Sequence, residues 1–313
     1  MKTALATRAR PARRLADNFG ILMSAPEIPT TAPTAAANRN DRAAAITTVR
    51  RDFLGNRFVS VELSPRARGL SIGVNLSPKS TAPTPAPATD PLGAAELDVP
   101  VMIRELDHVL ALVQSGGLRE LPVYQGLPTE LLTLRHVALG GEGEPTTSPR
   151  FIEAMEAIVH LRALSRRPFF KLILTTNALG IHRPEVAEAL RLLTPRDEIW
   201  VRLDPDFARA GEAGMPAPDA ILHQITTLAR QRPINLLAHF SAFRGDHPIG
   251  PEIEAYSLRL RALKEAGAQI PLVQIYSDAN ASAAASRTAL PLRTLFDIAR
   301  HVRTVSGLPV EVF

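Results

Sequence analysis

The chain has 313 residues and no cysteine, which excludes disulfides, thiolate nucleophiles and any cysteine-ligated iron–sulfur cluster. Its hydrophobic content of 45% suits a packed core, and no apolar run reaches the roughly 18 residues that span a membrane, so a soluble, cytoplasmic protein is expected. The formal charge of +5 lies entirely in the first 16 residues, where Lys2, Arg8, Arg10, Arg13 and Arg14 meet no acid; the remainder sums to zero (5 − 5) and does not call for nucleic acid as a partner.

Residues 1–45 are rich in Ala, Thr, Pro and Arg and carry no sustained apolar period, which predicts a disordered tail ahead of one domain over 46–313. Arg57–Leu63 (RFVSVEL) alternates like an edge strand, and Leu70–Leu76 (LSIGVNL) is the first predicted strand of the main sheet. Ser77–Ala94 is a Pro-rich loop in which Pro83, Pro85 and Pro87 favour extended backbone. Val101–Gln114 has a helical apolar period, and His136–Leu139 reads as a strand. A helix is predicted from about Pro149 to Ser165. Phe169–Thr175 (FFKLILT) is an apolar run of the kind buried in parallel sheets.

Beyond it the chain alternates helix (Glu185–Leu193), strand (Glu198–Leu203), helix (Ala217–Arg230), strand (Ile234–Phe240), helix (Glu252–Ala266) and strand (Ile270–Tyr276). A small-residue loop over Asp278–Thr288 and a final helix over Leu290–Val305 follow, then Leu308–Phe313. Repeated strand–helix alternation with short connections predicts right-handed crossovers and a parallel sheet. Periodicity alone leaves an open sheet and a barrel equally available.

The stretch with the most chemistry is Leu134–Arg150, LRHVALGGEGEPTTSPR. A strand runs into a turn in which Gly140, Gly141 and Gly143 allow close backbone approach, with Glu142 and Glu144 between them and Pro145 after. Ser148 is placed as the cap of the next helix, with Pro149 just inside it. A strand-to-helix loop of this form is where α/β proteins bind small molecules. Two turn carboxylates can accept hydrogen bonds from a ligand ammonium, or they can be solvated.

GGEGEPTTSP resembles the GGEP and GDGEPT motifs of the radical S-adenosylmethionine superfamily. The resemblance continues in family order through RGLSIGVNLSPK (Arg68–Lys79), LILTTNA (Leu172–Ala178), EIWVRLD (Glu198–Asp204), LVQIY (Leu272–Tyr276) and the terminal GLPVEVF, covering roughly 56–313. It implies an α/β fold, a partial (β/α)6 TIM-like barrel, with wyosine-type tRNA-modifying proteins among its similar members. It also implies a ligand set for S-adenosyl-L-methionine: Gly141, Glu142, Gly143, Glu144 and Pro145 around the amino group, with Glu144 the closer match to the motif's acid. Thr176 and Asn177 fall near the ligand's carboxylate or ribose, Asp204 with Arg202 at a strand end, and Gln274 between Val273 and Ile275 beside adenine. From the residues alone, Asn177 serves equally as a turn cap and Asp204 as a partner of Arg202.

The family also carries a [4Fe–4S] cluster on a CxxxCxxC loop, and here the sequence departs from it. The positions that match are Ser80, Thr84 and Pro87, or Ala82, Ala86 and Thr89 in a shifted register. Proline and alanine ligate nothing, and hydroxyl oxygen is a hard substitute for thiolate. Asp90 and His136 are the nearest other donors in sequence, and His136 on an apolar strand reads as a satisfied core residue. Three functions stay open: a cluster-free pseudoenzyme with a residual S-adenosylmethionine-type pocket; a radical enzyme by descent, related to RNA modification; and a non-radical enzyme using the Glu142/Glu144 turn.

Overall fold

A computed structural model describes residues 53–64, 67–77, 97–141, 143–164, 169–205, 217–243, 248, 250–277 and 287–313, all within one unit, Arg42–Phe313. Ser80, Thr84, Pro87 and Glu142 fall outside these residues, as does the Pro-rich loop beyond Ser77.

In chain order the elements are β1 (Val59–Ser64), β2 (Gly69–Asn75), α1 (Val99–Ser115), β3 (Leu134–Gly140), α2 (Phe151–Ala163), β4 (Leu172–Thr176), α3 (Pro184–Arg191), β5 (Glu198–Arg202) and α4 (Pro218–Gln231). They continue with β6 (Asn235–His239), β7 (Ser241–Phe243), α5 (Gly250–Glu265), β8 (Val273–Tyr276), β9 (Arg287–Ala289), α6 (Leu292–Ser306) and β10 (Val310–Val312). The main sheet has eight strands in the order β1-β2-β3-β4-β5-β6-β8-β10. β1 is an antiparallel edge on β2, and every later neighbour is parallel.

That order decides between the two architectures the sequence left open. In a doubly wound sheet the order reverses once, and helices cover both faces. Here each strand is added on the same side of its predecessor. Right-handed crossovers then place all six intervening helices on one face, and the sheet must curl around the other. The result is a partial (β/α)6 barrel. On the inner side His136 of β3 and Trp200 of β5 meet over β4, with ring centroids 5.9 Å apart.

The helix-facing side of the strands supplies the core. Leu70, Ile72, Val74, Val137, Leu139, Leu172, Leu174, Ile199, Val201, Leu236, Val273 and Ile275 join one large buried cluster with residues of the helices. The alternate positions form only a small second cluster, Ile173, Trp200 and Leu237 with Tyr276 against it. No helix among the described residues is long and apolar enough to cross a membrane.

Local chemistry explains the element ends. Asp98 caps α1 by accepting from Val101 N (3.0 Å), and Gly116 closes it with φ +77°. Glu105, two turns further along α1, accepts from the backbone N–H groups of Arg57, Phe58 and Val59 at 2.9–3.2 Å, fastening the start of β1 to the helix. Helix α2 begins later than the sequence suggests. Its N-cap is Arg150, without a side-chain cap bond, and Ser148 Oγ accepts only from Arg150 N at 3.4 Å. The residues ahead of it form a 3-10 turn, Pro145–Thr147, capped by Glu144.

Candidate functional site

The glycine-rich turn follows β3 at the C-terminal ends of the strands, where α/β folds gather their sites. Gly141 and Gly143 both lie against the exit of β2. A Cβ on Gly141 (φ +156°) would sit 2.3 Å from Asn75 Oδ1 and 3.1 Å from Ser77 N; on Gly143 it would sit 3.1 Å from Ser77 Cβ. The glycines therefore let this turn lie flat on the segment that leads into the Pro-rich loop. Leu76 N donates to Gly140 O (2.8 Å), Ser77 N to Asn75 Oδ1 (3.0 Å) and Ser77 Oγ to Glu144 O (3.5 Å).

Glu144 is the centre of a clasp between this turn and the end of β4. Its Oε1 accepts from Thr146 N (3.1 Å), from the Thr146 hydroxyl and from Thr176 Oγ1 (2.5 Å). Its Oε2 accepts from Asn177 N at 2.6 Å. Each carboxylate oxygen offers about two lone pairs, so Oε1 is saturated and Oε2 retains room for one more donor. Asn177 Oδ1 is used locally, accepting from Leu179 N (3.1 Å) as the cap of the turn. Ala178, the residue between them, has φ +68°.

Thr146 is the link the motif did not announce. It is fully buried, and its hydroxyl also accepts from Gly180 N (3.1 Å), while Arg183 Nη1 donates to the carbonyls of Thr146 (3.2 Å) and Thr147 (3.0 Å). A Cβ on Gly180 would lie 2.3 Å from Thr146 O. The structure thus joins Gly141, Gly143, Glu144, Pro145, Thr176 and Asn177 into one rigid unit.

Asp204 and Gln274 lie elsewhere on the sheet. Asp204, just past β5, accepts from His239 N (2.8 Å), which couples the ends of β5 and β6, and stands 3.7 Å from Arg202. It faces the buried Tyr256 of α5, whose phenol is pushed well up, first by burial and then by this carboxylate. Gln274 lies on the side of β8 away from the helices, between Val273 and Ile275 of the main core. It is 4% exposed, and its Oε1 has no hydrogen-bond partner among the described residues.

The inner face of the curled sheet is the part that motif reading missed. His136 is buried and its Nε2 pairs with Ser71 Oγ at 3.0 Å. Trp200 Nε1 donates to Glu198 Oε2 (2.7 Å), while Glu198 Oε1 pairs with Lys171 and Asn235 Nδ2 reaches Glu198 Oε2 at 3.3 Å. His239 and Tyr276 meet nearer the mouth with ring centroids 5.2 Å apart and planes tilted by 50°. These residues recur at every second position of their strands, a period-two signal readable only once the inner side is known. Among the described residues no three His, Cys, Asp or Glu side chains are grouped to hold a metal ion.

No family model and no curated relative matches the sequence. Among solved structures the chain is similar to TYW1 with a lysine–pyruvate adduct bound (TM-score 0.46, 13% identity, 88% of this chain and 90% of that one). It is similar also to archaeal TYW1 (TM-score 0.45, 12% identity, 88% and 90%). A third similar structure is a domain of pyruvate-formate lyase-activating enzyme from Bacteroides vulgatus ATCC 8482 (TM-score 0.42, 14% identity, 57% and 98%).

Proposed function

We propose that this chain is a radical S-adenosylmethionine-type barrel that has given up radical chemistry and works by binding a small molecule of the S-adenosylmethionine type at its mouth. The observation that carries the reading is a contrast within one sequence. The family-like turn keeps Glu144, bonded to Thr176 and Asn177, yet no cysteine exists anywhere in the chain to hold a cluster.

A [4Fe–4S] cluster does not fit this donor set. Iron–sulfur clusters need thiolates, and the matching positions Ser80, Thr84 and Pro87 offer two hydroxyls and an imino acid. The S-adenosylmethionine half fits better. Glu144 Oε2 has capacity for one more donor, and a ligand ammonium there would form a charge-assisted bond. Glu144 is held in place by protein donors from Thr146, Thr176 and Asn177, so little ordering cost falls on binding. Without a metal to chelate the methionine end, affinity rests on these contacts alone and should be modest.

Calorimetry of the full chain with S-adenosylmethionine tests the proposal. Saturable heat is expected, with affinity reduced about 10- to 100-fold in Glu144→Gln, the weight of one hydrogen bond to a charged group. Anaerobic incubation with iron and sulfide should leave the protein colourless. Stoichiometric iron and sulfide in the purified product, or no heat at millimolar ligand, would overturn the reading.

A further inference from the structure

We propose that α5 carries a binding site for a small monovalent anion, held between the phenol of Tyr256 and the guanidinium of Arg259. The site belongs to the layer between helix and sheet, outside the curled inner face, and is separate from binding at the glycine–glutamate turn. Two observations meet there. Tyr256 is completely buried, and its Oη has no hydrogen-bond partner among the described residues. Its ring stands edge-on to Phe240, with centroids 5.6 Å apart and planes at 88°. Both rings join the main apolar core with Leu260, the residue one turn on, and neither Phe240 nor Leu260 has a side-chain acceptor to offer.

Arg259 supplies the second observation. It is only partly buried, yet its Nη1 is shut off from solvent without a hydrogen-bond partner among the described residues. Three residues apart, the two side chains share one face of α5. Their closeness also shows in the phenol's ionisation, which Asp204 opposes and Arg259 eases.

Buried polar groups are ordinarily satisfied, and a charged one left open costs most. A guanidinium can only donate, so the hydrogens of both groups need a third party that accepts. Arg259 calls for negative charge in that guest. Asp204 limits it to one: its carboxylate is already engaged by His239 N (2.8 Å), faces Arg202 at 3.7 Å, and would repel a dianion. A halide or a carboxylate of formate size meets these terms.

Thermal unfolding of the full chain in chloride, formate and gluconate, as sodium salts at one ionic strength, tests the proposal. Chloride or formate should raise the melting temperature saturably above that in gluconate, as expected of a guest bound only by the folded state. Tyr256→Phe and Arg259→Met should each abolish the rise. In gluconate Tyr256→Phe should melt above the parent, because it deletes a buried donor that has no acceptor. Crystals soaked in bromide should show anomalous density against Tyr256 Oη and Arg259 Nη1. Melting indifferent to the anion, a rise retained in Tyr256→Phe, or water rather than bromide at these atoms would overturn the proposal. Tyr256→Phe removes one oxygen and no packing, so it carries the test if Arg259→Met fails to fold. The anion response should survive Glu144→Gln, which separates failure here from failure at the turn.

Discussion

At the scale of single residues, Thr146 matters more to the site than its appearance in the motif suggests. Its hydroxyl donates to Glu144 and accepts from Gly180 N, and its carbonyl receives Arg183. Thr146→Val keeps the volume and removes the hydroxyl, leaving a buried N–H without its acceptor. The expected loss is about 1–3 kcal/mol in urea unfolding, with the turn loosened and S-adenosylmethionine binding weakened in parallel. Gly180→Ala attacks the same contact from the other side, driving a methyl group to 2.3 Å from Thr146 O. About 1–3 kcal/mol is expected there too, and parent-like stability in both variants would refute the clasp.

Glu144 was legible because its glycine and proline neighbours form a pattern with a physical reason. Thr146 was not, since a threonine two places on is common in any turn. Its role depends on Gly180, 34 residues away in sequence. Gln274 was placed only by resemblance, between Val273 and Ile275 beside adenine; its burial on the side of β8 away from the helices emerges only from three-dimensional packing.

At the scale of elements, one buried ion pair fixes three neighbours. Asp197, ahead of β5, has a fully buried side chain and pairs with Arg162 of α2 at 2.8 Å. It also accepts from Leu172 N at the start of β4 (2.8 Å) and from Thr194 N and Oγ1 (2.7 and 2.9 Å). Burial alone would push this carboxyl up, but the bonds from Arg162, Leu172 and Thr194 outweigh it and hold it below the ordinary 3.8. A depressed carboxyl contributes stability that is fully present above its unfolded value and is lost as pH falls through the folded one. Acid unfolding of the parent should therefore steepen below pH 3.8. Asp197→Ala should cost about 3–5 kcal/mol at neutral pH, because Arg162 is left buried and unpaired. It should also flatten the acid limb, and an unchanged acid profile would show that the pair does not govern it.

Arg162 lies in the last turn of α2, where a cation ordinarily complements the helix dipole; its partner here lies 35 residues on, beyond any local pattern. Elements themselves were legible where burial imposes a period. β4 is found from its apolar run, though it begins at Leu172 because Phe169 is 53% exposed and rests against Arg162 and Arg196. β7 and β9 were missed: each is three residues long, paired only to the other, and too short to show alternation.

At the scale of the whole molecule, strand order is what sequence could not supply, because right-handed crossovers are common to doubly wound sheets and barrels. The order also creates a dependency. Each parallel strand is held by the neighbours before and after it, and the series ends at β10, a three-residue strand that follows α6 after Gly307, Leu308 and Pro309. β10 pairs with β8, Val273 N donates to Pro309 O (2.9 Å), and Arg303 Nη2 donates to Val310 O (2.6 Å). Leu308 and Val310 are 4% and 3% exposed.

Truncation after Gly307 should thus remove on the order of 3–6 kcal/mol through these two side chains alone. It would also bare the edge of β8, an open template for pairing with another chain. Because Gln274 lies on β8, loss of β10 should disturb the inner face too, shifting Trp200 emission towards that of exposed indole. The expected result is a lower melting temperature, concentration-dependent association and a shifted Trp200 emission, all from deleting residues that touch neither the glycine turn nor Trp200's own strand. A truncated chain that melts like the parent and stays monomeric would mean that the sheet closes without its last strand, and the curl would then need another cause than the succession of crossovers.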